Sequence, residues 1–199
     1  LSLPRNLNAN GSPTVLTVAG TRPAVTSATN TVSIGNAIPV EIRGLSLAST
    51  GGNAINLAGA AAAYTGSASL TIANNQFSGA TGDGIQVNTS ATSLLTLAIT
   101  DNAWLTSATH GSNAVDIVNN SATLDSLRLD FSRNTNLESV ATAMLINGGA
   151  VGRTTITGFA GNSVFGDAGA AGVLVSNATF DAVAGGTIQL VNGNTFNTL

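Results

Sequence analysis

Gly84-Ile85-Gln86-Val87 is the stretch that decides the fold, because it comes back. Its copies are Ala54-Ile55-Asn56-Leu57, Ala114-Val115-Asp116-Ile117, Ala143-Met144-Leu145-Ile146 and Gly172-Val173-Leu174-Val175. Subtracting first positions in chain order gives steps of 30, 30, 29 and 29 residues. Equal spacing of short apolar strands means stacked units rather than one closed globule. A single unit of this kind cannot bury its apolar face alone, so the repeat is the fold.

Within each unit a second strand alternates apolar and polar residues, the mark of a half-buried strand. It reads Leu70-Thr71-Ile72-Ala73-Asn74-Asn75, then Leu95-Thr96-Leu97-Ala98-Ile99-Thr100-Asp101-Asn102, then Leu127-Arg128-Leu129-Asp130-Phe131-Ser132-Arg133-Asn134. A large apolar residue follows the asparagine two places on at Phe77, Trp104 and Phe196, while Asn134-Thr135-Asn136-Leu137 reads as the same motif with an insertion. Asn75, Asn102, Asn134, Asn162 and Asn194 are the structural residues singled out here. Stacked at one turn, they are expected to hydrogen-bond along the stack, as amide ladders do. The plainer alternative is that each simply accepts a positive φ.

A unit of 29 or 30 residues without helical periodicity has room for three short strands and three turns. Stacking such units predicts an all-β, single-stranded parallel β-helix. Residues 1–31 read as an irregular, strand-rich lead-in that includes Val15-Leu16-Thr17-Val18. Residues 32–199 read as coils, the regular ones covering about 52–81, 82–110, 111–141, 142–170 and 171–199. Ile55, Ile85, Val115, Met144 and Val173 are expected in one inward row, and Leu57, Val87, Ile117, Ile146 and Val175 in the next.

Composition narrows the function classes. Charged residues are 8% of the chain, against about 25% in an ordinary domain. There is no lysine, the net charge is -3, and six scattered arginines make no positive stripe, which argues against nucleic acid as a partner. No apolar run approaches the ~20 residues that span a bilayer, so no direct membrane insertion of this segment is expected. With no cysteine, neither a disulfide framework nor a cysteine metal site is available. Leu1 is not an initiator methionine, so the chain is expected to be a processed product or a piece of something longer, with the stack continuing past residue 199.

The pattern Gly-Ile-x-Val followed by Leu-x-Ile-x-x-Asn-x-Phe resembles the repeat of right-handed parallel β-helix proteins of the pectin-lyase-like fold. The right hand is what this resemblance implies, and it agrees with the rule for parallel crossovers. The likeness spans about residues 32–199 and rests on core and turn positions, so it speaks to fold and not to activity. Pectin-lyase-like enzymes cleave acidic polysaccharides with acidic calcium ligands and a basic residue. The Gly/Asn/Ser/Thr/Ala-rich, cysteine-free composition is more similar to bacterial autotransporter-type surface passengers and adhesins.

Candidate chemistry is confined to outward positions: Asn56, Gln86, Asp116, Leu145 and Leu174 on one strand, and Ser69, Thr71, Thr96, Ala98, Arg128 and Asp130 on another. A lyase groove needs carboxylates on adjacent coils to hold a divalent cation. Only isolated ones occur, and Asp83 stands beside Asn53 and Asn113. The weak catalytic candidates are Arg128, Asp130 and Asp116. Arg128 and Asp130, two residues apart, are expected to form an exposed ion pair. His110, in Thr109-His110-Gly111, is expected to be a solvent-facing turn residue. Toward the C-terminus Leu145, Leu174, Ile156, Ile188 and Leu190 stand where polar residues stood. Either the outer face becomes apolar there, or the register slips by one and turns them inward.

The expected function is a non-catalytic structural or adhesive segment of a larger exported bacterial protein, located outside the cell or on its surface. No cofactor or metal is called for. The expected partners are host or bacterial surface glycans and proteins, and continuing β-helix segments of the same polypeptide. The alternatives are a polysaccharide-active lyase or hydrolase, or a phage tailspike-like glycan-binding protein.

Overall fold

A computed structural model describes residues 21–35, 38–57, 66–89, 93–105, 110–149, 154–164, 171–180 and 193–196. The expected strand Val15–Val18 lies outside these residues, as do Ile188 and Leu190.

The chain is a parallel β-helix. It visits three faces in strict rotation, and all pairings between the described strands are parallel. The first face stacks Ala24–Ser27, Ser46–Ser49, Gln76–Ala80 and Ala103–Trp104, and resumes with Ser163–Val164 and Thr195–Phe196. The second stacks Val32–Ile34, Ile55–Leu57, Ile85–Thr89, Val115–Asn119, Met144–Asn147 and Val173–Ser176. The third stacks Val40–Arg43, Ser67–Ala73, Leu94–Thr100, Leu127–Ser132, Thr154–Gly158 and Ala178–Phe180. Ala24–Ser27 already pairs with Ser46–Ser49, so the stack is under way before residue 32.

Alternation along each strand sends every second side chain into a narrow interior. On the second face the register aligns Val32, Ile55, Ile85, Val115, Met144 and Val173 in one row, and Ile34, Leu57, Val87, Ile117, Ile146 and Val175 in another. On the third, Leu95, Leu127 and Thr154 form one row, and Leu70, Leu97, Leu129, Ile156 and Phe180 the next. On the first, Leu47 and Phe77 lead to Trp104, whose ring stacks on Phe77 at a centroid distance of 4.5 Å. Such a pair contributes about 0.5–1.5 kcal/mol beyond its buried area.

The turn from the third face to the first is built the same way in successive coils. Gly44, Asn74, Asp101, Arg133, Gly161 and Gly193 all have positive φ, between 55° and 71°. Each immediately precedes the ladder position, so the left-handed residue is not the ladder asparagine itself. The ladder position holds Leu45, Asn75, Asn102, Asn134, Asn162 and Asn194. Each asparagine oxygen accepts from the coil before it: Asn75 from the backbone N–H of Leu45 at 3.1 Å, Asn102 from the N–H of Asn75 at 3.0 Å, and Asn194 from that of Asn162 at 2.9 Å. Each side-chain nitrogen also donates to a carbonyl of the preceding coil, namely Ile42, Ile72, Ile99, Phe131 and Phe159. Buried amides thus have partners on both sides, which is the condition for burying them cheaply.

The insertion read near Asn136 is a single extra residue. Ala103 bridges Thr135, Leu137 bridges Val164, and Asn136 between them takes φ 55°. That detour lets Leu137 regain the inward row after Trp104 and interrupts the regular pairing of the first face.

The register resolves the apolar drift toward the C-terminus in two ways. Leu145 and Leu174 align with Gln86 and Asp116 and do face outward, Leu174 being 49% exposed. Ile156 pairs with Leu129 and is fully buried, so there the one-residue shift holds. The slack is taken up just beyond, where Asp130 pairs with Gly158 across a register shift.

Candidate functional site

The third face carries the outward side chains with chemistry to offer. Its register aligns Ser69, Thr96, Arg128, Thr155 and Thr179 in one outer column. Glu41, Thr71, Ala98 and Asp130 form the neighbouring one. Beside the first column lies an open groove of about 410 Å³, whose polar walls are Ser67, Ser69, Thr96, Asp125 and Arg128. Leu94, 44% exposed, presents an apolar surface within it. Strand pairing sets the spacing of these groups at about 4.8 Å per coil.

Arg128 donates to the Asp125 carboxylate at 2.7 Å rather than pairing with Asp130. Asp130 accepts from the Ser132 hydroxyl at 2.6 Å. The expected Arg128–Asp130 ion pair is therefore replaced. Asp125 stands in the turn before the strand, at φ 49°, where its short side chain reaches forward along the chain to Arg128. A hydrogen bond from Thr155 and the Arg128 guanidinium hold the Asp125 carboxyl below its usual range. At Gly158 a Cβ would come within 2.3 Å of the Asp130 carboxylate, so the missing side chain makes room for that acid.

Asp116 lies on the second face, in register with Gln86 and Leu145, away from Arg128 and Asp130. The three catalytic candidates do not converge on one site. Burial, and then the charge of Asp83, push the Asp116 carboxyl up to about 6, against a hydrogen bond from Gln86. Asn56, expected to be exposed, is outward by register but only 3% exposed, and it accepts a hydrogen bond from Asn53.

His110 is buried rather than solvent-facing. It bridges Ala80, and its Nε2 lies 2.9 Å from the carbonyl oxygen of Leu105. Burial pushes its imidazole below the usual range. Among the described residues no group of three or more His, Asp or Glu is placed to hold a metal ion.

No family model, no curated protein and no solved structure matches this chain.

Three arrangements go beyond the residues that the sequence puts forward as candidates. Asp125, the partner of Arg128, sits in a turn without periodicity. A second ladder runs through Asn30, Asn53, Asp83, Asn113 and Thr142, with the side-chain oxygens of the first four accepting backbone N–H groups of the following coil. Each of its members stands two residues ahead of an inward residue of the second face, a recurrence that was visible in the sequence. Finally Thr89, Asn119, Ser126 and Thr154 form a buried polar cluster between the second and third faces. Thr154 interrupts the row of Leu95 and Leu127, and its hydroxyl is satisfied by Asn119 at 2.8 Å and by the Gly148 carbonyl at 3.0 Å.

Proposed function

We propose that this chain is a non-catalytic structural and adhesive segment of a larger exported bacterial surface protein. The observation that carries the reading is the side-chain ladder from Asn75 to Asn194, which ties successive coils together through buried amides. That construction favours length and stiffness. The outer columns of Ser, Thr, Asn and Gln supply hydrogen-bonding groups with little net charge, suited to glycans or other uncharged polar surfaces. Its other partners in this reading are β-helix coils of the same polypeptide.

A polysaccharide-active enzyme is the second reading. It draws on Asp116, whose raised pKa beside Asp83 would suit an acid near neutral pH. One assay separates the two. Polygalacturonate with calcium should give no rise in unsaturated-product absorbance, and clear turnover would overturn the scaffold reading. Light scattering after gel filtration addresses the tailspike alternative: a monomer is expected, and a stable trimer would favour the tailspike.

A further inference from the structure

We infer that the groove on the third face is a binding site for a neutral, extended oligosaccharide running along the axis of the stack. The inference rests on the adhesive reading above and assigns it a place and a ligand class.

Three observations carry it. First, the groove crosses three successive coils, at Ser67 and Ser69, at Leu94 and Thr96, and at Asp125 and Arg128. Coils repeat every ~4.8 Å, close to the length of one pyranose unit, so an extended sugar chain can set about one residue against each coil. Second, the groove combines the two surfaces a sugar ring needs. Leu94 is large, apolar and exposed, and can lie against the C–H face of a ring. The hydroxyls of Ser69 and Thr96 stand beside it in register, able both to donate and to accept. Third, the arginine in the groove is already paired. Arg128 is held by Asp125 at 2.7 Å, so a sugar carboxylate would have to displace an existing partner, whereas sugar hydroxyls can bond to both members of the pair.

The test is calorimetric titration of the full chain with cellohexaose, maltohexaose and hexagalacturonate. At least one neutral hexaose is expected to bind, about tenfold or more tighter than the anionic one. Leu94→Ser and Thr96→Val should each weaken that binding by about fivefold to tenfold. Leu174→Ser on the second face should leave it unchanged. Asp125→Asn removes a carboxylate that Arg128 is paired with and should shift preference toward hexagalacturonate. Thermal midpoints close to that of the parent chain will show that each variant folds.

Failure of both neutral hexaoses to bind would overturn the proposal. So would a parent chain that prefers hexagalacturonate, or groove variants that bind like the parent. Binding that survives every groove variant removes the groove but leaves the adhesive reading standing. Cleavage of a polysaccharide removes the adhesive reading itself.

Discussion

Asn102 gives its side-chain oxygen to Asn75 twice, to the backbone N–H at 3.0 Å and to the side-chain nitrogen at 3.2 Å. It then turns the same pair of donors on Asn134, at 3.2 Å and 3.0 Å. Each asparagine is thus both a receiver for the coil before it and a giver to the coil after it. None of these groups reaches water, since Asn75, Asn102 and Asn134 are all essentially unexposed.

Asn102→Ala therefore strands two buried backbone groups at once, the N–H of Asn75 and the carbonyl of Ile72, and leaves the side chains of Asn75 and Asn134 with one bond fewer each. At roughly 1–3 kcal/mol for each unsatisfied group, a loss of about 3 kcal/mol or more is expected in urea denaturation. Asn194→Ala, at the last described ladder position, should cost much less. Equal and small losses at both positions would show that the ladder contributes little.

Close approach between coils gives a second prediction. A Cβ at Gly84 would stand 2.6 Å from the Ala114 carbonyl oxygen and 2.8 Å from the Trp104 indole nitrogen, whereas one at Gly35 would meet nothing within 4 Å. Gly84→Ala should destabilise by about 1–3 kcal/mol. Gly35→Ala should be neutral or slightly stabilising. Thermal melts followed by the fluorescence of Trp104, the only tryptophan and fully buried, measure both.

Asp116 ties stability to pH. Its folded pKa, about 6, stands above the ordinary value of 3.8, so between those values the folded chain holds a proton that the unfolded chain has released. Stability contributed by this group is full below about pH 4 and is lost as the pH rises through 6. Asp116→Asn should remove that slope and raise stability at pH 7. Because the side chain is partly solvent-screened, the expected gain is about 1–2 kcal/mol. A parallel pH profile in parent and variant would refute the assignment.

His110 acts in the opposite sense. Its folded pKa is lowered, so acidification below about 6.5 protonates the unfolded chain first and weakens the fold. The imidazole resonances should titrate below pH 6.5 in the folded chain, and His110→Gln should flatten the acid limb of the stability curve. A midpoint at or above 6.5 would contradict its burial against Leu105.

An exposed ion pair sets the lower end of the scale. Arg133 grips Asp101 with two hydrogen bonds, at 2.7 and 2.9 Å, yet both side chains are about half exposed. Arg133→Gln should cost less than about 1 kcal/mol, and less still in high salt. A loss as large as that of Asn102→Ala would mean that the pair is part of the ladder.

The inward rows were legible because they obey a period. Ile85 and Val87 find Val115 and Ile117 at a constant step, and any chain that stacks such units must align them. The ladder asparagines were legible for the same reason. Arg128 was placed on the correct face, but its partner was misassigned. Spacing along a strand suggests Asp130, whereas the turn at Asp125 brings a nearer carboxylate back onto the guanidinium. Thr154 was equally hidden, because only the surrounding Asn119 and Gly148 make a hydroxyl acceptable in an apolar row. What sequence periodicity cannot carry is the path of each turn, and the outer chemistry depends on those turns.

The asparagine column also has a direction. From Asn75 to Asn194 each side-chain carbonyl points toward the coil that precedes it, and from Leu45 to Asn162 each backbone N–H at the ladder position points toward the coil that follows. Five amide dipoles so aligned add rather than cancel, as peptide dipoles do along a helix. The two ends of the ladder are electrically unlike, with the negative pole toward Leu45 and the positive pole toward Asn194, so charge near each end is sorted by sign even in a chain this poor in charged residues.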